Sequence, residues 1–226
     1  MWDDRPIIIL GAGPSLTRGT INRLHGLGYI LAVKSLAFEV EFADAGFGID
    51  KPRFKEWRAA LGALPFPVYW GVPDDFKIED IPDNVTLLKR SRENYFTDDE
   101  TLFPCGGTSG LGALAFAIRK IGLETKGRTI FLFGFDYKPL DHIWHSFPQH
   151  YGMVRIQRAE NWASWAERFE PIVTYAKDKG IRVINVNDES MIKCTEKIGT
   201  EDAIIELERL QNGYEKEFDL DRVRSA

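Results

Sequence analysis

The sequence predicts a single α/β domain built on a Rossmann-like open, mainly parallel sheet with helices on both faces. Three observations predict it. A short apolar run at residues 7–10 leads at once into Gly11-Ala12-Gly13-Pro14-Ser15. Similar β-branched or aromatic runs recur down the chain, alternating with stretches of helical spacing, which is the pattern of strand-helix-strand units. The chain has 226 residues, 44% of them hydrophobic, enough for one substantial core and too few for two independent domains.

Taken in order, residues 7–10 are apolar throughout and three of the four are isoleucine, so they form a buried strand that ends in a turn. Ser15 or Thr17 caps a helix reaching about Leu27, with Gly28 just beyond its end, and residues 29–33 supply the second strand. Residues 47–50 are a third strand ending in a carboxylate, and residues 54–61 a helix carrying Trp57. Residues 67–70 and 85–88 are further strands. Pro73, Asp74, Asp75, Pro82 and Asp83 put a loop or short helix between them.

From Thr108 the small residues of Thr-Ser-Gly-Leu-Gly-Ala make a helix that can approach a sheet closely, and residues 129–133 are the next strand, closed by Gly134-Phe135-Asp136-Tyr137. An aromatic and histidine-rich loop follows. Residues 160–179 read as one helix with Gly180 as its C-cap, and residues 181–186 as the last strand. Residues 1–199 therefore form the nucleotide-binding, Rossmann-like transferase domain, with 141–160 as a loop or lid. Residues 200–226 form a helical tail whose apolar side is Ile204, Ile205, Leu207 and Leu210.

Composition narrows the function. The net charge of −5 argues against an extended basic face for nucleic acid, without excluding a local patch. No apolar stretch approaches the roughly 20 residues of a membrane span. The opening Met1-Trp2-Asp3-Asp4-Arg5 lacks the basic and then apolar regions of a signal peptide, so a cytoplasmic location is expected. Cys105 and Cys194 are too few for a metal set of their own and are expected to be ordinary thiols.

In open parallel sheets ligands bind beyond the carboxyl ends of the strands, so the residues just after each strand are the candidates. Gly11 and Gly13 allow a phosphate close to the backbone, with Ala12 and Pro14 completing the turn and Ser15 offering a hydroxyl. A dinucleotide fingerprint would need a third glycine and a P-loop a Gly-Lys-Ser/Thr, and neither is present. Lys34 and Asp50 end the second and third strands. They offer a cation and a carboxylate for phosphate or Mg²⁺, or a salt bridge to each other. Thr108, Ser109 and Gly110 form a second anion or ribose site, or simply a helix cap. Asp136 and Tyr137 close the strand at 129–133.

His142, His145 and His150 lie within nine residues, a pattern suited to a catalytic base of near-neutral pKa or an imidazolium at a leaving phosphate. The competing readings are a zinc site, although the spacing matches no common finger and no cysteine is near, and exposed loop histidines with no role. Trp162 and Trp165, preceded by Arg155 and Arg158, are either a helix packing face or a lid whose arginines clamp phosphate.

Three blocks together carry a family resemblance: an apolar strand followed by Gly-x-Gly-Pro-Ser-Leu, Thr-Ser-Gly before a small-residue helix, and a strand ending Gly-Phe-Asp-Tyr. The chain resembles the bacterial sialyltransferases of glycosyltransferase family 42. It also resembles the related superfamily of motility accessory factors and MptE-like archaeal 6-hydroxymethylpterin diphosphokinases. The resemblance implies that residues 11–16 and 108–110 hold a nucleotide and that Tyr137 supports the departing phosphate. The sialyltransferases carry asparagines where this chain has Lys34 and Asp50, and their histidine base lies later than His145 and His150.

Three functions stay open. A glycosyltransferase would use a nucleotide-sugar donor, with Tyr137 and Lys34 at the leaving phosphate and His145 or His150 activating a small-molecule or glycan acceptor. A diphosphokinase would move pyrophosphate from ATP to a small hydroxymethyl compound, with Asp50 and Asp136 placing Mg²⁺. A non-catalytic nucleotide-binding module would dock a partner through Trp144, Phe147 and Tyr151. The first is preferred. Oligomeric state is left open.

Overall fold

The computed structural model describes residues 5–97, 99, 101–121, 128–138 and 159–224. Among them, nine strands form one sheet: β1 (Ile7–Leu10), β2 (Tyr29–Val33), β3 (Ala45–Gly48), β4 (Val68–Val72), β5 (Val85–Ser91), β6 (Phe103–Pro104), β7 (Thr129–Phe133), β8 (Arg182–Asn185) and β9 (Glu196–Lys197). Their spatial order is β6-β5-β4-β3-β2-β1-β7-β8-β9, and every pairing is parallel. The α/β, Rossmann-like class is as the sequence predicts. The chain winds outward in one direction from β1 to β6 and in the other from β7 to β9, so the order reverses between β1 and β7.

Side chains of a strand alternate between faces, and both faces here are covered, which is why the strands read as unbroken apolar runs. Ile7 and Ile9 join one core and Ile8 and Leu10 the other. On the first face lie α3 (Ser109–Ile121) and α5 (Glu170–Asp178), contributing Leu111, Leu114, Phe116, Ile118, Ile172 and Ala176. On the second lie α1 (Arg18–Arg23), a 3-10 turn at Lys34–Phe38, and α6 (Thr200–Arg224). Ala203, Ile204 and Leu207 of α6 are buried in that second core, whereas Ile205 is exposed, so the first turns of that helix are seated on the sheet. A smaller cluster joins Phe54, Trp57 and Leu61 of α2 (Lys51–Gly62) to Val68, Trp70 and Val72 of β4.

Several boundaries differ from expectation. The strand expected over 47–50 is β3 at Ala45–Gly48, so Asp50 stands two residues beyond it, at the N-cap of α2; that helix begins at Lys51 rather than Phe54, and β5 runs on to Ser91. Thr17 does cap α1, its hydroxyl accepting from the Thr20 amide, but the helix closes at Arg23 rather than reaching Leu27. The helix expected over 160–179 is two helices, α4 (Ala159–Glu167) and α5, because Pro171 lacks the amide needed to continue the first and suits the first turn of the second. The strands β6 and β9, two residues each, are too short for periodicity to mark.

Candidate functional site

At the order reversal, the turn after β1 meets the turn after β7. Gly11 donates to the Phe133 carbonyl at 2.8 Å and Gly13 to the Gly134 carbonyl at 2.9 Å. The Asp136 carboxylate then closes over the glycine turn, accepting the Ser15 hydroxyl at 2.9 Å, the Ser15 amide at 3.3 Å and the Asn187 side-chain amide at 2.6 Å. A Cβ added to Gly13 would sit 1.9 Å from Asp136 Oδ2 and 2.4 Å from the Gly134 oxygen. The glycine is thus required by the protein's own carboxylate and backbone. Asp136 is 2% exposed, and burial raises its pKa against the lowering effect of the Ser15 hydrogen bonds. An anion approaching Gly13 or Ser15 meets amides already bonded and a carboxylate of the same sign.

On the same edge, Tyr137 follows β7 with φ +53° and Lys34 follows β2 with φ +58°, left-handed conformations that a side chain adopts at a cost. The Tyr137 hydroxyl lies 3.3 Å from Thr108 Oγ1, which also accepts the Leu111 amide as the cap of α3. Gly110 leaves room for it, since a Cβ there would come within 2.8 Å of the hydroxyl. Trp162 of α4 stands edge-on to the Tyr137 ring at 6.2 Å and to Trp165 at 5.5 Å. Burial pushes the Tyr137 phenol well above the usual tyrosine range, so at neutral pH it is a hydrogen-bond donor. Beside it, Ser109 Oγ is buried with no partner among the described residues.

Lys34 and Asp50 form an ion pair. Asp50 is also on the wall of a cleft of about 550 Å³ that opens beyond the carboxyl ends of β3, β4 and β5. Among the described residues its charged lining is Asp50, Lys51, Asp75, Arg90, Arg92 and Arg168, with Gly107 contributing backbone. Arg168, at the corner between α4 and α5, is fixed by a 2.6 Å hydrogen bond to the Gly106 carbonyl. Gly106 and Gly107, at φ +51° and +79°, turn the chain from β6 into α3 around it. Arg90 reaches Cys105 Sγ at 3.6 Å, while the Cys105 thiol donates to the Ser91 carbonyl.

Comparison with family models, curated proteins and solved structures finds no match.

Lys34, Asp50, Thr108 and Tyr137 therefore follow strand ends on one edge of the sheet, while Ser15 is bonded to Asp136 and Gly13 to the Gly134 carbonyl. His142, His145 and His150, with Trp144, Phe147, Tyr151, Arg155 and Arg158, lie outside the described residues. Among the described residues no group of histidine, cysteine, aspartate and glutamate converges as a metal site, and no helix is long and apolar enough to cross a membrane. Cys194, its thiol pushed up to about 11 by burial, has little thiolate at neutral pH.

Arg90, Arg92 and Arg168 were not among the candidates read from sequence. Two signals were present. Lys89-Arg90-Ser91-Arg92 follows a strand expected to end at Leu88, so it belonged with the strand-end residues, and Pro171 marks a helix break that turns Arg168 toward the sheet edge.

Proposed function

We propose that the chain is a nucleotide-dependent transferase, with glycosyl transfer from a nucleotide-sugar donor as the preferred chemistry. The observation that carries this reading is the placement of Tyr137. A bulky residue in a left-handed conformation in the turn that follows β7, with its hydroxyl against the cap of α3, is held there by its surroundings at an energetic cost of about 1–3 kcal/mol. Such cost is characteristic of functional positions, and the location beside the order reversal is where open parallel sheets bind ligands.

In this reading an acceptor hydroxyl attacks the anomeric carbon of the donor, the bond from that carbon to the phosphate oxygen breaks, and the nucleotide leaves with the electron pair. The protonated Tyr137 phenol donates a hydrogen bond to the departing phosphate oxygen, with the Ser109 hydroxyl as a second donor. The acceptor's proton passes to a base, the role given to His145 or His150.

Release of nucleotide from a panel of CMP-, UDP- and GDP-sugars, with and without chelator, tests the proposal. Tyr137→Phe should lower turnover by about a hundredfold or more while leaving nucleotide affinity within about twofold. Absence of turnover with every donor would reject it. The diphosphokinase reading is favoured by a separate observation, that Asp50 and Asp75 both line the arginine cleft. Turnover of ATP that chelator abolishes would select it.

A further inference from the structure

We infer that the arginine cleft, and not the glycine turn, takes the phosphates of the ligand, and that it is built for a diphosphate group. This inference rests on the nucleotide-dependent reading above. Three observations carry it.

The first is charge. Lys51, Arg90, Arg92 and Arg168 line the cleft, and none of them forms an ion pair among the described residues. Lys51 lies 5.3 Å from the Phe76 ring, a contact that brings no negative charge to it. Of the two carboxylates among the described lining residues, Asp50 is already countered by Lys34, so among the described residues four cations face the carboxylate of Asp75. Among the described residues this is a surplus of three positive charges, in a protein whose net charge is −5. A phosphate monoester carries between one and two negative charges at neutral pH, and a terminal diphosphate about three. The diphosphate matches the surplus.

The second is unsatisfied hydrogen bonding. The Nε of Arg90 is buried with no acceptor among the described residues. A buried guanidinium donor without a partner is destabilising, and an anion in the cleft would complete it. Arg168, by contrast, is already oriented through Gly106, which leaves the rest of its planar fork to meet phosphate oxygens.

The third is the state of the alternative. The glycine turn has its Gly13 and Ser15 amides committed and the Asp136 carboxylate against it. Placing phosphate there would break these bonds and juxtapose like charges. The cleft asks for neither.

The test is calorimetric titration of the full chain, at low salt and without divalent metal, with inorganic pyrophosphate and inorganic phosphate as probes. Pyrophosphate should bind at least about tenfold more tightly than phosphate. Arg92→Ala and Arg168→Gln should each raise the pyrophosphate Kd about tenfold, as expected for loss of a charge-assisted contact. Arg23→Ala, on α1 and paired with Glu201, should leave it unchanged. Arg92 is exposed and has no partner among the described residues, so its variant keeps the folded state even if Arg168→Gln loosens the Gly106 turn. Equal affinity for the two probes, or indifference of pyrophosphate binding to Arg92→Ala, would overturn the inference. Binding is measured here without turnover. Pyrophosphate held by the arginines with no transfer from any donor would reject the transferase and leave the cleft standing, and transfer unaffected by both arginine variants would do the reverse.

Discussion

Asp50 and Lys34 close an ion pair across the carboxyl ends of two neighbouring strands, β3 and β2. The carboxylate expected from sequence as a metal ligand already has a cation against it. Its charge nonetheless remains in the wall of the cleft. Asp50→Asn should therefore tighten pyrophosphate binding, by about fivefold at low salt for removal of a charge worth roughly 1 kcal/mol, with the gain shrinking as salt rises. If Asp50 served Mg²⁺ instead, the same variant would weaken binding of Mg-ATP. Titration of both ligands separates the outcomes.

The raised pKa of Tyr137 gives a second prediction. Burial disfavours the phenolate and outweighs the lowering effect of Thr108, so the group stays protonated beyond the ordinary tyrosine value of 10.0. Alkaline absorbance titration of the seven tyrosines should lose its highest-pH component in Tyr137→Phe. Loss of a component at or below the ordinary value would contradict the burial of the hydroxyl.

Asp136 should leave a signature in stability against pH. Its folded pKa is raised, so between the ordinary carboxylate value and the folded one the native state binds more protons than the unfolded chain. The contribution is fully present below the unfolded value and is lost as pH rises through the folded one. Exposed carboxylates such as Glu189 and Glu196 are shifted down by cations and slope the other way. The prediction is thus a difference: wild type minus Asp136→Asn, by urea denaturation at several acidic pH values, should fall with rising pH. A flat or rising difference would be incompatible with the desolvation argument.

Gly13→Ala should destabilise the protein without any ligand present. The added methyl would enter the Asp136 carboxylate and the Gly134 carbonyl, and the backbone oxygen cannot swing aside. Overpacking of this kind costs about 1–3 kcal/mol, read as a lower urea midpoint with unchanged slope. A variant as stable as wild type would mean the turn is looser than its contacts indicate.

These contacts also show where sequence was informative. The strands at 7–10, 29–33 and 129–133 match β1, β2 and β7 because apolar runs buried on both faces end sharply at glycine, lysine or a loop. The glycine turn was visible too, but the hydrogen bonds that its residues make with Asp136 and with the turn after β7 were not. Glycine permits close approach without saying of what, and the partner, Asp136, lies 121 residues from Ser15. The arginine cleft was harder still. Arg90 and Arg92 follow one strand, Arg168 sits at a helix corner, and only the tertiary fold shows that they face a shared space.

The all-parallel sheet has a consequence for how the chain reaches this state. A parallel pair has no tight hairpin to start from, and β1, an inner strand of the sheet, pairs on one side with β7, whose register places Ile7 beside Ile130. Until that distant segment arrives, the edge of Ile7-Ile8-Ile9-Leu10 stays unpaired. Such long sequence separation slows folding and leaves an apolar strand open to the wrong neighbours, so chaperone demand and aggregation during synthesis should concentrate on this first strand.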